Sequence, residues 1–240
     1  VKADAADVES SGSCLSTDCP SANCCQKVTP GVLHQRYGLP AKPTAASTKS
    51  TMAVAEFQGQ KWTQSDLSLF SQTCGLTPNV TVTTEVPFNG TNSGICSVPI
   101  IGQAACEEAE LDVEYIKAVA PGIPLTVVYL GTFSLLDWAL ELGNMTAPPL
   151  VNSVSYGNDE IQQTSTAYME QVSQEFKKLG VRGLSILFAS GDQGPCGRSG
   201  CGSVYHPDFP GASPFVTTVG GTNFATANTI GPESAWDLGG

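Results

Sequence analysis

Basic residues are scarce in this chain. It has 11 Lys and Arg against 22 Asp and Glu, which gives a net charge of −11 and a pI near 4.4. Such a chain offers no basic stripe to meet phosphates, and this argues against a nucleic-acid-binding protein. The excess acid instead fits a protein that works at low pH, where protonation reduces self-repulsion.

Long apolar runs are also missing. Charged residues make up only 14% of the 240 residues and hydrophobic residues 41%, which is typical of a globular protein with a sizeable core. This length is enough for one ordinary α/β domain or two small ones. No stretch predicts a membrane span or a signal peptide. Because the first residue is Val1 rather than Met, we interpret the sequence as a processed product.

Cysteine, in contrast, is abundant, with nine residues. Four of them lie within residues 14–25 in a C-x4-C-x4-C-C spacing, which lacks the C-x-x-C pairs and histidines of a zinc site and favours disulfides. N-glycosylation sequons begin at Asn79, Asn89 and Asn144 and indicate the same oxidising route. We therefore expect a secreted or lysosomal (or vacuolar) protein. The odd number of cysteines predicts one thiol that is free or paired with another chain.

The order of apolar runs predicts the fold class. Residues 1–27 are rich in Ser, Ala and Cys without periodicity, and we interpret them as an extension, either a propeptide remnant or a linker. Strands are predicted at 51–57, 80–86, 125–130, 150–156, 183–189 and 214–219, with helices at 106–119, 133–142 and 164–179. Strands separated by helices imply parallel crossovers. The prediction is an α/β domain with a doubly wound, mostly parallel sheet and helices on both faces.

The helix predicted over residues 106–119 carries an unusual pair of acids. At about 100° per residue, Glu108 and Asp112 fall on the same side as an apolar stripe of Leu111, Tyr115, Ile116 and Val119. The remaining charges are predicted on the opposite, solvated face, and they are Glu107, Glu110, Glu114 and Lys117. Burial would raise the pKa of both inward carboxyl groups and couple their titrations, so that the pair could serve as general base and acid. The simpler alternative is a surface helix with both acids at its rim.

Further acids follow the ends of predicted strands, where chemistry gathers in parallel sheets. Asp192 lies in the segment SGDQG (190–194), whose glycines permit a tight turn; the alternative is an Asp that closes the turn by binding its own backbone. No G-x-G-x-x-G or G-K-[ST] motif accompanies it, which argues against a nucleotide site. The only histidines, His34 and His206, are distant in sequence from the acid helix. A carboxylate base is therefore more economical than a Ser-His or Cys-His pair.

Four ordered motifs resemble the sedolisins, the serine-carboxyl peptidases with a subtilisin-like fold. They are EAELD (108–112), SVSYGNDE (153–160), LFASGDQG (187–194) and FPGASPFVTTVGGTNF (209–224). The segment VTPGVLHQRYGLP (28–40) is similar to the one that joins propeptide and catalytic domain in the tripeptidyl-peptidase I branch. The resemblance implies acid-acting hydrolysis of peptides or proteins, as an endopeptidase or a tripeptidyl peptidase.

The resemblance also implies roles for individual residues. Glu108 would be the general base for the nucleophilic serine, and Asp112 would orient it and share its proton. Asp192, protonated, would donate a hydrogen bond to the oxyanion. The backbone of Ser155, Tyr156 and Gly157 would line the substrate cleft.

The nucleophile itself is the main departure from the family. Sedolisins carry it in a Gly-Thr-Ser-x-Ser-type segment, and this sequence has no such segment. The family's calcium site likewise has no counterpart, so its ligands are expected outside this chain. We therefore expect residues 28–240 to be the N-terminal two thirds of a catalytic domain that is completed by a second chain from the same precursor. Cys196 and Cys201 are the candidates for an interchain disulfide.

Two other functions remain open at this point. One is a catalytically inactive, sedolisin-like peptide-binding protein that lacks the serine altogether. The other is an acid glycosidase that uses two carboxylates. Its carboxylates are usually about 5–10 Å apart across a sugar cleft, on separate elements rather than on one helical turn.

Overall fold

The computed structural model describes residues 27–39, 49–76, 80–92, 96, 101–200, 202–226 and 229–236, with the backbone alone at 101–104. The predictions for Asn79, for Cys201 and for the extension up to residue 26 therefore lie outside the described residues.

The centre of the fold is a six-stranded sheet in which every neighbouring pair is parallel. In chain order the strands are β1 (Met52–Phe57), β2 (Thr84–Pro87), β3 (Leu125–Leu130), β4 (Val151–Val154), β5 (Asn158–Asp159), β6 (Ser185–Ala189), β7 (Asp208–Phe209), β8 (Thr217–Val219), β9 (Thr222–Phe224) and β10 (Glu233–Ala235). The sheet order is β2-β3-β1-β4-β6-β8, and the antiparallel pairs β5–β7 and β9–β10 stand apart from it. The predicted α/β class is confirmed.

Five α-helices connect and cover the strands of the described part of the chain. They are α1 (Pro30–Tyr37), α2 (Gln64–Thr73), α3 (Ile101–Val119), α4 (Leu135–Asn144) and α5 (Thr166–Val181). Three of them begin at a hydroxyl side chain that accepts a hydrogen bond from a backbone N–H three residues on, at 3.1–3.2 Å, and these caps are Thr63, Ser134 and Ser165. Such caps satisfy donors that the first helical turn leaves without partners.

The helices lie on both faces of the sheet, as the doubly wound prediction requires. Side chains alternate along β1, so Ala53, Ala55 and Phe57 join a core with α4 and α5. Met52 and Val54 face the other way, into a core with α2 and α3. By the same alternation Glu56, which is 1% exposed, faces α3 from the end of β1.

The prediction of which face of α3 is buried was partly wrong. Ala109 and Val113 form the buried line against the sheet, while Leu111 is 42% exposed. Three of the four charges assigned to solvent are buried, namely Glu110, Glu114 and Lys117. Backbone groups from neighbouring loops explain two of them. The N–H of Thr63 donates to Glu110 at 2.7 Å, and the Lys117 ammonium donates to the carbonyls of Pro121 and Ile123, each at 2.9 Å.

Several predicted strands are shorter than expected. The run 80–86 forms a strand only from Thr84, the run 150–156 ends as a strand at Val154, the run 183–189 begins as a strand at Ser185, and the run 214–219 contributes Thr217–Val219. All three residues of this last strand are exposed. In the described ranges, no helix has the length and apolarity needed to cross a bilayer.

Candidate active site

A serine hydroxyl binds one of the two acids of α3 and influences the other. Ser155 directly follows β4, and its Oγ donates to Asp112 at 2.8 Å to Oδ1 and 3.0 Å to Oδ2. Ser155 also lowers the pKa of Glu108, which lies one helical turn away on α3. Both acids are half-buried. The helix therefore lies with its acid pair over the carboxyl end of β4, where the resemblance places the chemistry.

Burial and mutual repulsion keep protons on this pair. Desolvation, followed by the charge of Glu108, raises the pKa of Asp112 from 3.8 to about 7, and the Ser155 hydrogen bond opposes the rise. Desolvation likewise raises the pKa of Glu108, with the Ser155 hydrogen bond again opposing it and the charge of Asp192 adding to it. Because neighbouring acids cannot both ionise readily, the pair keeps one proton as the pH rises into the mildly acidic range. It can then accept one proton and release it again.

A third acid, Glu56, belongs to the same group and was missed by the sequence analysis. Desolvation, followed by the charge of Asp112, raises its pKa well above the ordinary value. The hydroxyl of Tyr156 donates to Glu56 Oε2 at 3.2 Å, and Oε1 has no partner in the described structure. The signal was present in the sequence, because β1 (MAVAEF) is buried at every position and holds one acid. A charge on a fully buried strand needs a partner or a proton.

Asp192 stands at the end of β6, on the same edge of the sheet. It is exposed, and it directly follows Gly191, whose φ of 91° only glycine adopts easily. The turn is tied to β8 by a backbone hydrogen bond from Ser190 to Val219 at 3.0 Å. Asp192 is close enough to raise the pKa of Glu108 through its charge. The three residues with expected catalytic roles therefore form one group.

The three expected cleft residues have side-chain and packing roles of their own. Ser155 binds Asp112, and Tyr156 binds Glu56 while its ring packs on Phe57 with centroids 4.8 Å apart. A Cβ at Gly157 would lie 2.1 Å from Asp208 Oδ1, so only glycine fits there. Their pairing with a substrate backbone stays a prediction.

Other polar residues lie away from the acid pair. Asp159, in the motif SVSYGNDE, is fully buried, and its Oδ2 accepts from the backbone N–H of Ser199 at 3.2 Å. His34 lies near the end of α3, with Nε2 3.3 Å from the carbonyl oxygen of Ala118, and the backbone N–H of His206 donates to Pro195. No described contact joins either imidazole to the acids.

The described part of the chain contains disulfide bonds, as the sequence predicts. Cys96 and Cys106 form one of them. Cys196 is also disulfide-bonded, and its role as an interchain candidate stays a prediction. Asn89 and Asn144 are both exposed, and their glycosylation stays a prediction.

Metal-binding residues do not cluster in the described part of the chain. It contains no group of three or more His, Cys, Asp or Glu that could hold a metal ion. The residues present therefore do not fit the family's calcium, which stays a prediction about residues outside this chain.

Comparison with known proteins gives relatives over most of the chain. Tripeptidyl-peptidase 1 of Canis lupus familiaris is 38% identical over 213 residues, and that of Mus musculus is 39% identical over 219 residues. These matches cover 82% and 86% of this chain but only 34% and 36% of the relatives, so the chain spans about a third of their length. No family model matches the sequence.

A solved structure has the same fold. Pseudomonas sedolisin, a serine-carboxyl proteinase solved with two molecules of pseudo-iodotyrostatin, superposes with a TM-score of 0.68 at 24% identity. The superposition covers 88% of this chain and 58% of the sedolisin. It shows that the two chains share a fold, and the relatives above support the family. The chain belongs to the sedolisin family, in the branch of tripeptidyl-peptidase 1.

Proposed function

We propose that this chain forms the acid-bearing part of a serine-carboxyl peptidase that hydrolyses peptide bonds in acidic solution. The single observation that carries the proposal is the pair Glu108 and Asp112, whose pKa values are raised beside the Ser155 hydroxyl and next to the buried Glu56, with no imidazole in contact among the described residues. The names of the relatives, tripeptidyl-peptidase and serine-carboxyl proteinase, support the reaction class. The oxidising route expected from the cysteines and sequons supports a location outside the cell or in a lysosome or vacuole.

In the proposed reaction Glu108 is the general base. It takes the proton of the nucleophilic serine hydroxyl as the serine oxygen bonds to the peptide carbonyl carbon. The carbonyl π electrons move onto oxygen, where the carboxylic O–H of Asp192 stabilises the oxyanion by a hydrogen bond. When the C–N bond breaks, the proton returns from Glu108 to the leaving amine, and water repeats the cycle on the acyl-enzyme.

Asp112 and Ser155 hold Glu108 ready for this exchange. Before the reaction Asp112 and Glu108 share one proton. When Glu108 accepts a second proton, both carboxyl groups are neutral, and no unpaired charge remains in the half-buried site. Ser155 holds Asp112 in place because its hydroxyl donates to that carboxyl group, and it also lowers the pKa of Glu108. Glu56 lies behind Asp112 and stays neutral in acid.

The nucleophile is proposed to lie on a segment outside this chain. The sequence has no Gly-Thr-Ser-x-Ser segment, and the chain spans about a third of its relatives. The exposed β8, at the open edge of the sheet beside the Asp192 turn, is a surface on which such a segment can pair. Gels of the native assembly with and without reductant, together with an intact mass, test for a second chain.

Activity of the full-length protein tests the reaction. At about pH 4 we expect cleavage of peptides, and Glu108→Gln should lower kcat by roughly 10²–10⁴-fold, as loss of a general base does. Asp192→Ala should lower kcat while leaving KM similar, because it removes a hydrogen bond that forms only in the transition state. Glu107→Gln is the matched control, since its side chain is exposed on the same helix. Equal activity of Glu108→Gln and Glu107→Gln would refute the proposal.

Labelling and product analysis separate the remaining possibilities. A peptide aldehyde that binds wild-type protein without any peptide turnover would identify an inactive binding protein instead. Mass spectrometry of the products distinguishes tripeptides released from N-termini from fragments cut inside the chain. The glycosidase alternative is weakened by the structure, because both acids lie on one turn of α3 rather than on separate elements.

A further inference from the structure

A second group of charges lies beneath the proposed cleft. Asp159 on β5 and Asp208 on β7 are directly opposite each other in the antiparallel pair, and their side chains are 1% and 7% exposed. Like charges at opposed positions repel, and burial strengthens the repulsion. Arg198 offsets it, because its Nη1 lies 2.8 Å from Asp208 Oδ2 and 3.7 Å from Asp159 Oδ1. We call these three residues the Arg198 cluster.

The cluster lies directly against the backbone that carries the proposed site. A Cβ at Gly157, in the expected cleft, would be 2.1 Å from Asp208 Oδ1. A Cβ at Gly191, next to Asp192, would be 3.0 Å from Asp208 Oδ2. Asp208 therefore fills the space between Gly157, in the expected substrate cleft, and the turn that carries Asp192. No bulkier residue at either glycine would permit this approach.

The turn that carries Asp192 is also fastened by the same group. Arg198 lies six positions after Asp192 in one continuous loop, and Ser199 donates its backbone N–H to Asp159. A Cβ at Gly197 would be 2.6 Å from Asp159 Oδ2, so the loop backbone is also in close contact with the Asp159 carboxylate. The position of this loop against β5 and β7 thus depends on both acids remaining in place.

We infer that Arg198 is a positioning residue of the proposed peptidase. By neutralising Asp159 and Asp208, Arg198 holds the turn that carries Asp192 against the backbone of Gly157. The inference rests on the proposed function for its effect on catalysis. Without the guanidinium, two facing buried carboxylates would separate, and the glycine backbones packed on them would shift. A displacement of about 1 Å at an oxyanion donor can reduce a rate on the order of 10²-fold.

Because one nitrogen, Nη1, contacts both acids, a single point charge should suffice. Lysine supplies such a charge, whereas it could not replace a bidentate guanidinium. Arg198→Lys should therefore keep most of the activity. Arg198→Gln should lower kcat about tenfold or more with KM within about threefold, because the turn acts on the transition state rather than on the bound substrate.

Steady-state kinetics of the full-length protein, with peptide substrate in acidic buffer, test this. The set is Arg198→Gln, Arg198→Lys and the double variant Arg198→Gln/Asp208→Asn, which removes the repulsion together with its counter-charge and should recover kcat. Arg182→Gln is the matched control, because Arg182 binds backbone carbonyls of Gly143 and Met145 and takes no part in the cluster. Wild-type kcat in Arg198→Gln would overturn the inference, as would a loss that neither lysine nor the double variant rescues.

Hydrogen exchange separates failure of this inference from failure of the proposed function. Backbone amides of residues 190–200 should exchange faster in Arg198→Gln and return towards wild type in the lysine and double variants, whether or not peptides are cleaved. If wild-type protein and Glu107→Gln cleave nothing, the proposed function falls while the exchange result still decides the cluster. If Glu108→Gln is inactive and Arg198→Gln is unchanged in both kcat and exchange, only the Arg198 inference falls.

Discussion

Removal of the Ser155 hydroxyl should move the pH dependence of the reaction towards neutrality. The hydroxyl binds Asp112 at 2.8 and 3.0 Å, and its hydrogen bonds lower the pKa of both Asp112 and Glu108. In Ser155→Ala the charged form of the pair loses this donor while burial and repulsion remain. The pKa at which the pair first becomes a competent base must therefore rise.

The size of the shift follows from the hydrogen bond. A hydrogen bond to a charged group contributes about 1.5–3 kcal/mol, and one pKa unit corresponds to about 1.4 kcal/mol. Because both acids are only half-buried, we take the lower end of this range and expect the acid limb to move up by about one unit. Below the limb, activity should then be about tenfold lower than in wild type. Near the optimum it should change little.

The assay is kcat/KM of the full-length protein against pH, which reports the titrations of the free enzyme. Ser155→Thr is the matched control, since it keeps the hydroxyl and should keep the wild-type limb. An acid limb that stays in place or moves down in Ser155→Ala would refute the reasoning. Complete loss in alanine with full activity in threonine would identify Ser155 itself as the reacting hydroxyl, and would remove the need for a serine on another segment.

Three further predictions concern the acids and glycines around the site. Glu56→Gln should keep kcat/KM at about pH 4 within about threefold, because the amide resembles the neutral acid, whereas Glu56→Asp should lose about tenfold through the void it leaves. Desolvation raises the pKa of Glu110 from 4.5 to about 8, so the folded state binds the extra proton and loses stability as pH rises between these values. Glu110→Gln should therefore melt like wild type at pH 4.5 but be more stable at pH 8 by on the order of 2 kcal/mol, roughly 4–8 °C by calorimetry. Gly157→Ala should lower the melting temperature by several degrees through its clash with Asp208, while Gly180→Ala, with nothing within 4 Å, should not.

The fold was predictable because its signals are local. Apolar runs such as 125–130 and 183–189 mark buried parallel strands, and their separation by helical segments leaves few topologies. Strand ends were less predictable: the apolar pattern continues past Val154, but there the chain leaves the sheet to place Ser155 under the acids. This departure depends on the contact of Ser155 with Asp112, 43 positions away in the sequence, which a periodic pattern cannot predict.

The site was predictable where it follows strand ends and family motifs, and not where it depends on packing. The face of α3 was misjudged because large residues such as Leu111 outweigh alanine in a periodic pattern, whereas close approach to the sheet selects Ala109 and Val113. Glu110 looked like a surface charge because its partner, a backbone N–H of Thr63, lies in another segment. Glu56 was passed over because its strand looks like ordinary core, although one acid in such a strand already indicates a site.

The same physical event, retention of protons on buried carboxyl groups, links stability and catalysis in this protein. Asp112 and Glu114 have pKa values raised to about 7, and Glu110 to about 8, in each case mainly by burial. Each of these groups favours the folded state in acid and disfavours it as pH approaches neutrality. Of these three, only Asp112 belongs to the proposed catalytic pair, while Glu110 and Glu114 lie away from it on α3. Substitution of Glu110 should therefore change the pH dependence of stability alone, whereas loss of the Ser155 hydroxyl should change that of activity. If both variants moved both profiles together, the acids of α3 would form a single titrating unit, and the separate role assigned to the Glu108–Asp112 pair would be wrong.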